Sequence, residues 1–325
     1  MDAESGQAKR RRMAGVAARM LGSPPVARIA RSALRRRLPV LAYHDVTDAG
    51  AFAAHLDVIQ EHFKPVTGAE VALAVRTARR LPRGAIWLTF DDAHPGVVTN
   101  ALPLLAERVV PATLFVCPGV VDTDQPYWWQ VMDQALAAGI PIRLEGRSWT
   151  DGTITTRLKR VPDKVRRAAV ARTTDVLVQT GRSPRVTQTT SDALREWVQA
   201  GLDVGNHTWD HPCLDMCDAE QQRRQILEAD EWLRVAFGTP IHLFAYPNGN
   251  TAPVSRRVLA EHGYAVAALF DHRLSRARGP EISRLRVDAS APVHRLTAIA
   301  SGAHPAAFAV ANRVRGSVRS AGARR

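Results

Sequence analysis

The chain has 325 residues, 46% hydrophobic and 23% charged, proportions of a globular protein that exclude disorder, collagen and coiled coil as descriptions of the whole. Three cysteines are too few for a disulfide framework, and no apolar run approaches the ~18 residues of a membrane span. The net charge of +13 comes from residues 1–38 (ten basic, two acidic) and 306–325 (five basic), whereas residues 39–305 carry 29 of each sign, which argues against a nucleic-acid-binding protein.

Between the two basic ends, short apolar runs alternate with segments of helical periodicity. The apolar runs predict strands at Pro39–Val46, Ala85–Phe90, Ala112–Val116, Leu202–Gly205, Ile241–Tyr246 and Ala265–Phe270. Periodic apolar residues and capping signals predict helices at Phe52–Phe63, Val71–Ala78, Val97–Arg108, Ser191–Gly201, Ala219–Phe237 and Pro253–His262. This alternation predicts an α/β protein with a mostly parallel sheet, either open or closed into a barrel.

The alternation is interrupted between about residues 120 and 190, a stretch too long for an ordinary connection. We therefore divide the chain into a basic N-terminal tail (1–38), a catalytic body (39–305) with an insertion at about 120–190, and a basic C-terminal tail (306–325). The insertion contains Tyr127-Trp128-Trp129, whose rings either line a sugar groove or, more simply, pack in a core.

Three polar clusters each follow a predicted strand. They are Thr89-Phe90-Asp91-Asp92, then Asn206-His207-Thr208-Trp209-Asp210-His211, then Phe244-Ala245-Tyr246-Pro247-Asn248-Gly249. The carboxyl ends of parallel strands meet at one rim, where active sites of such folds are built. We therefore expect segments more than a hundred residues apart to share one pocket.

The first two clusters together offer the ligands of a catalytic metal site. Adjacent carboxylates on an extended chain point in different directions, so Asp92 can bind a metal while Asp91 faces the substrate. His207 and His211 add two nitrogen donors, and two histidines with one carboxylate leave a coordination position open. Such a site hydrolyses amides or esters, with Asp91 as general base. A structural Cys₂His₂ zinc site that joins Cys213 and Cys217 to the two histidines is the less favoured alternative, because its spacing differs from that of zinc fingers.

The motifs TFDDA, HTWDHP and FAYPNG, in this order, resemble those of the polysaccharide deacetylase family (NodB homology, carbohydrate esterase 4), in particular its FAYP-type exopolysaccharide deacetylases. The resemblance implies a distorted TIM-like (β/α)₇ barrel. It implies Asp91 as the catalytic base and Asp92, His207 and His211 as ligands of a divalent metal, usually Zn²⁺. It also implies that the backbone N–H of Tyr246 stabilises the oxyanion.

The chain departs from the family pattern at two places. Many members have an arginine in the third motif that orients the catalytic aspartate, but this chain has Ala245 there. We expect Arg284, in SRLRVD, to reach Asp91 from another strand instead. The family's late histidine, which acts as general acid, has no clear copy, and His44 at the end of the first strand is the candidate proton donor.

The expected activity is removal of N-acetyl groups from amino sugars of a surface or exported glycan, or of its lipid-linked precursor. The alternatives are a deformylase or cyclic-amide hydrolase on the same barrel, and a non-catalytic relative that binds glycan or membrane. The segment after Lys9–Arg12 lacks a clear signal-peptide core. We therefore expect a cytoplasmic protein whose basic tails contact anionic lipid of the inner membrane face, with secretion as the alternative.

Overall fold

The structure, a computed structural model, describes residues 15–238 and 242–308. The charged run Lys9–Arg12 and residues 309–325 of the predicted C-terminal tail lie outside the described residues. Within the described ranges, no helix combines the length and the apolar character that a bilayer crossing requires.

The strands are short, and most of them follow the predicted apolar runs. They are β1 (Val40–Tyr43), β2 (Lys64–Pro65), β3 (Ala85–Phe90), β4 (Ala112–Val116), β5 (Ile142–Leu144), β6 (Arg147–Trp149), β7 (Asp203–Asn206), β8 (Leu243–Ala245), β9 (Val266–Ala268), β10 (Glu281–Ile282) and β11 (Leu285–Arg286). The first and last predicted strands are shortened to β1 and β9, because the residues beyond them leave the sheet to form loops. The two-residue strands were not predicted, since so few residues carry no periodicity.

Helices connect most of the strands. They are α1 (Pro24–Leu34), α2 (Ala49–His62), α3 (Gly68–Thr77), α4 (Leu102–Arg108), α5 (Trp128–Ala137), α6 (Thr153–Leu158), α7 (Asp163–Gln179), α8 (Ser191–Gln199), α9 (Ala219–Phe237), α10 (Pro253–Glu261) and α11 (Val293–Ala300). Residues 15–21 and 303–308 are also helical. α9 has the predicted bounds, and its Asp218 cap accepts the N–H of Gln221 while the side chain of Gln221 accepts the N–H of Asp218.

The main sheet is parallel throughout, in the order β10-β9-β8-β7-β4-β3-β1-β11, with β2 beside β3. Every residue of β3 is buried, as expected for a strand that is covered on both faces. On one face Phe90 stacks on Tyr43, with ring centroids 5.4 Å apart, and contacts Trp197 of α8. β1, β3 and β4 thus contribute to two hydrophobic clusters, one that includes Phe90 and a second that includes Val40, Trp87 and Phe115.

The sheet is curled, because its two edge strands are consecutive in the chain. Only Ser283 and Arg284 separate β10 from β11, and a chain of that length spans at most about 11 Å. The two edges of the sheet therefore come close together, and the resulting half-barrel is consistent with the predicted distorted (β/α)₇ barrel. The closure also places Arg284 at the seam, with its side chain fully buried.

The insertion forms its own small layer of helices α5 to α7 and the antiparallel hairpin β5–β6. Its core includes Trp128, which lies under the guanidinium of Arg166 at 5.4 Å. Arg166 is buried and bonded to Asp163, one turn earlier on α7. Asp163 also accepts a bond from Arg167, which continues to both carboxylate oxygens of Asp210. This network ties the insertion to the loop that carries His207 and His211.

We predict that Asp163→Ala lowers the free energy of unfolding by about 3–5 kcal/mol, because it leaves the buried charge of Arg166 without its partner. Urea denaturation followed by tryptophan fluorescence measures the change. The matched control is Asp192→Ala, which removes an exposed aspartate from another i,i+3 pair with arginine and costs below about 1 kcal/mol. Equal losses in the two variants would contradict this role of the buried pair.

Candidate active site

The three predicted motifs meet in one cavity of about 720 Å³ at the carboxyl ends of the strands. β3 ends at Phe90 and delivers Asp91 and Asp92, β7 leads to His207, and β8 leads to Tyr246. The insertion closes one side of the cavity with residues of α5 and α6. The cavity is lined by His44, Asp91, Asp92, His94, Trp129, Asp133, Lys159, Arg160, His207, His211, Asp215, Tyr246, Asn248, Phe270, Arg284 and Arg286, among others.

Asp91 is held by Arg284, as expected from the sequence. The two nitrogens Nη1 and Nη2 of Arg284 donate to Oδ1 and Oδ2 of Asp91 at 2.6 and 2.8 Å, in a parallel two-bond arrangement. Nε of Arg284 donates to the carbonyl oxygen of Leu269 at 2.9 Å, which fixes the plane of the guanidinium. Burial alone raises the pKa of Asp91, but the charge and hydrogen bonds of Arg284, together with the charges of His207 and His44, outweigh it and hold that pKa below its usual value.

Asp92 points the other way, toward the two histidines. Its Oδ1 lies 3.4 Å from Nε2 of His207 and 3.4 Å from Nε2 of His211. The other ring nitrogen of His207, Nδ1, lies 2.8 Å from the carbonyl oxygen of Ala245, so that N–H donates there and leaves the Nε2 lone pair facing Asp92. Asp92, His207 and His211 are therefore spaced and oriented like three ligands that share one metal ion.

The backbone at this point is strained in several places. Asp92, Thr208 and His211 have φ values of 68°, 71° and 59°, in the left-handed region that residues with a Cβ rarely adopt. Local bonds hold the conformation: the hydroxyl of Tyr127 donates to the carbonyl oxygen of Asp92 at 2.8 Å, and Oδ1 of Asn206 accepts the N–H of Thr208 at 2.7 Å. Such strain is concentrated at functional sites, where it fixes side-chain direction.

The triad fits a divalent metal ion. Among the described residues, the group of side chains able to hold a metal is Asp92, His207 and His211, whose ligand atoms all lie within 4.8 Å of one another. Oδ1 of Asp92 is buried and has no hydrogen-bond partner there. Ligands bound at about 2.1 Å to a tetrahedral ion stand about 3.4 Å apart, which matches the two distances between carboxylate and imidazole.

Protonation follows the same geometry. Burial lowers the pKa of His207, but Asp91 and Asp92 together raise it above its usual value. Burial lowers the pKa of His211 to about 3, and the neighbouring charge of His207 acts in the same direction. The two aspartates therefore favour one positive charge near Asp92, which in the absence of a metal is the proton on His207. A metal ion bound between the three side chains would displace that proton.

Tyr246 does not present its backbone N–H to the cavity. That N–H donates to the carbonyl oxygen of Ala268 at 3.0 Å, where β8 leaves the sheet beside β9. The role expected for this amide therefore conflicts with its sheet hydrogen bond. Asn248, two residues after Tyr246, lines the same cavity and has a φ of 58°. Its backbone N–H is the alternative donor that this turn offers.

His44 lies in the cavity wall, as expected, with its ring edge against Phe270 at 5.5 Å. Burial lowers its pKa, which favours the neutral imidazole. His94 was not predicted from the sequence as a residue of this site. In the structure its Nε2 lies 3.8 Å from Oδ2 of Asp92. Its place two residues after the aspartate pair was the available signal.

The aromatic residues Trp128 and Trp129 of the insertion have different surroundings, one in a core and one in the cavity. Trp128 packs in the insertion core, whereas Trp129 lines the cavity. The ring of Trp129 stacks on Tyr127 with centroids 4.4 Å apart and contacts His211 edge-on at 4.5 Å. Trp129 thus offers a flat apolar surface beside the metal triad.

Solved structures share this fold. The Streptococcus pyogenes deacetylase PplD in complex with acetate matches with a TM-score of 0.57 and 17% identity, over 80% of this chain and 96% of that chain. IcaB from Ammonifex degensii matches with a TM-score of 0.55 and 20% identity, over 82% and 97%. A de-N-acetylase from Aggregatibacter actinomycetemcomitans matches with a TM-score of 0.55 and 14% identity, over 81% and 99%. At these identities the likeness concerns the fold.

The sequence comparisons give the family. No curated protein matches the sequence. The family model described as polysaccharide deacetylase matches residues 78–188 and 176–267, which together exceed half of the chain and include all three motifs. The chain therefore belongs to the polysaccharide deacetylase family, whose members are hydrolases of amide C–N bonds.

Proposed function

We propose that this protein is a metal-dependent hydrolase that removes N-acetyl groups from amino sugars of a surface or exported glycan or of its precursor. The observation that carries the proposal is the convergence of Asp92, His207 and His211 within 4.8 Å, beside the Asp91–Arg284 pair. The likeness of the fold to the Aggregatibacter actinomycetemcomitans de-N-acetylase supports an amide as the bond that is cleaved.

Asp92, His207 and His211 would hold the metal, and their mixed nitrogen and oxygen donors favour Zn²⁺. A divalent ion bound there supplies positive charge that polarises a carbonyl group and acidifies water. The chain's own contribution is to aim the three ligands. The carbonyl oxygen of Ala245 fixes the tautomer of His207, and the strained φ values of Asp92 and His211 fix the directions of their side chains.

Asp91 would take the proton of the attacking water. Its carboxylate lies next to the triad, with Oδ2 3.9 Å from Nε2 of His207. Arg284 keeps Asp91 ionised and prevents it from turning toward the metal ligands, so the two neighbouring aspartates keep separate roles. Asp91 is therefore the general base of the proposed reaction.

The negative charge that develops on the acetamide oxygen needs a donor besides the metal. The backbone N–H of Asn248 is the candidate, since the backbone N–H of Tyr246 donates to the carbonyl oxygen of Ala268. The departing amine needs a proton, for which His44 remains the candidate because it lines the same cavity as Asp91. Because His44 is neutral at rest, it would first have to take up the proton that Asp91 removes from water. The flat ring of Trp129 offers a stacking surface for the sugar.

We predict that the purified protein binds one divalent ion per chain and that Asp92→Ala or His207→Ala weakens binding by more than about 100-fold, because each variant removes a ligand. Metal analysis after dialysis and titration with Zn²⁺ measure the effect. The control is Asp91→Asn, which alters the site but retains all three ligands and should bind the ion. A wild-type protein that binds no divalent ion would contradict the mechanism.

We also predict that the metal-loaded protein releases acetate from N-acetylglucosamine oligomers and that Asp91→Asn lowers kcat by about 10²–10⁴-fold, since the general base is lost. Asp133→Asn is the matched control, because Asp133 lines the same cavity outside the triad and should leave kcat almost unchanged. EDTA should abolish the activity.

The same assay separates the alternatives. Release of formate from N-formyl substrates without acetate release would favour the deformylase, and opening of a cyclic amide would favour that hydrolase. Binding of glycan oligomers with no turnover by the metal-loaded wild type would favour a non-catalytic relative. An Asp91→Asn variant as active as the wild type would contradict the role of Asp91.

A further inference from the structure

A second charged surface lies away from the active site. It is lined by fourteen residues from three segments of the chain, and all of its charged residues are arginines. We call it the arginine cluster, and its eight members are Arg35, Arg36, Arg37, Arg79, Arg80, Arg83, Arg276 and Arg278. The other lining residues are leucine, alanine and proline, such as Leu81 and Pro82.

Folding concentrates this charge at one place: five of the eight arginines lie in residues 39–305, which are neutral as a whole, and the other three end the basic segment 1–38. Within residues 15–238 and 242–308, no ion pair joins any of the eight arginines to a carboxylate. The positive charges act on one another: burial, together with the charge of Arg276, lowers the pKa of Arg37. Eight like charges around one surface pocket repel one another, and an external anionic surface would offset that repulsion.

The cluster lies at the amino ends of the strands, opposite the active site. Arg37 precedes β1, Arg83 precedes β3, and Arg278 precedes β10. Asp91 directly follows the last residue of β3, and a strand of six residues spans about 20 Å. The cluster is therefore separated from the metal triad by the length of the barrel, and a ligand bound there would leave the active site accessible.

Apolar side chains are exposed on the helical segment that leads into the cluster. Ile29 of α1 is 70% exposed and Met20, in the helical stretch before it, is 67% exposed. α1 packs through Ala27, which is fully buried, and its chain continues directly into Arg35, Arg36 and Arg37. A helix with exposed apolar side chains next to a dense set of arginines has the character of an interfacial membrane helix.

We propose that the arginine cluster and the exposed face of α1 bind the surface of an anionic lipid bilayer. The arginines would contact phosphate groups, and Ile29, six residues before Arg35, would enter the boundary between headgroups and acyl chains. A soluble polyanion would pair with the arginines but gain nothing from exposed Ile29. Single-stranded nucleic acid is further disfavoured because the lining residues between the arginines are aliphatic and offer no ring on which a base could stack.

This orientation has a functional consequence. With the amino ends of the strands against the membrane, the active-site cavity at their carboxyl ends would face away from the lipid. The protein could then act on glycan presented about one barrel length from the bilayer surface. The proposal does not depend on the deacetylase activity, because the cluster and the metal triad share no residue.

The test uses the full-length protein and co-sedimentation with two kinds of vesicle, phosphatidylcholine alone and phosphatidylcholine with phosphatidylglycerol. The wild type should bind the anionic vesicles and not the neutral ones, with affinity that falls as salt rises. The triple variant Arg79→Gln/Arg80→Gln/Arg83→Gln should bind anionic vesicles about a hundredfold more weakly, since each arginine near such a surface contributes about a fivefold change in affinity.

The matched control is Arg172→Gln/Arg182→Gln/Arg224→Gln, which removes the same charge from exposed positions outside the cluster. It should bind like the wild type, and circular dichroism should show both triple variants folded. Ile29→Ser should weaken binding to anionic vesicles while leaving the salt dependence unchanged.

Three results would overturn the proposal. Equal losses in the two triple variants would mean that net charge alone drives binding. Wild-type binding by the cluster variant would assign any membrane contact to other basic residues, such as those at the ends of the chain. Cluster-dependent binding of double-stranded DNA or of an anionic polysaccharide, with no binding to anionic vesicles, would assign the cluster to a soluble polyanion.

Discussion

Two carboxylates, Asp91 and Asp92, are buried side by side at the end of the same strand, and the rest of the site follows from how each negative charge is balanced. Asp91 receives a permanent partner, the guanidinium of Arg284, which lies between the two edge strands β10 and β11 and is buried where the sheet closes. Asp92 receives two imidazoles and keeps a buried oxygen without a hydrogen bond. A buried carboxylate with such neighbours is stable when a cation joins it, and in the proposed mechanism the two adjacent residues would then serve separately as base and as metal ligand.

Strands and helices that are encoded by local sequence patterns could be predicted from the sequence. So could the position of the candidate site, because it lies at the carboxyl ends of parallel strands. The bounds of β3, β4 and α9 agree with the apolar runs and capping signals, because buried parallel strands and capped amphipathic helices are encoded within a few residues. The convergence of Asp92 with His207 and His211 was predictable because parallel strands deliver their following residues to one rim. The contact of Arg284 with Asp91 was also predicted, although it depends on the closure of the whole sheet.

Other features depend on tertiary contacts that leave no mark in a single sequence. The backbone N–H of Tyr246 is bonded to Ala268, and only the register between β8 and β9 reveals this. Trp129 faces the cavity and Trp128 the insertion core, a division set by how α5 docks on the barrel. The arginine cluster was not predicted because three separate segments contribute its members: Arg35, Arg36 and Arg37 end the basic segment 1–38, and the other five lie within residues 39–305, whose charges sum to zero. A sum of charges over a sequence range detects runs of like charge along the chain. It does not detect like charges from separate segments that the fold brings together.

The two ends of the barrel thus have different chemistry, with a metal triad at the carboxyl ends of the strands and unbalanced positive charge at their amino ends. The barrel keeps them apart, so that binding at one end need not disturb reaction at the other. The central claim is that one cation lies between Asp92, His207 and His211. A crystal structure of the zinc-loaded protein, with anomalous data at the zinc edge, tests it most directly. We expect one ion about 2.0–2.2 Å from a carboxylate oxygen of Asp92 and from Nε2 of both histidines. An ion bound elsewhere, or Asp92 turned away from the two imidazoles, would contradict it.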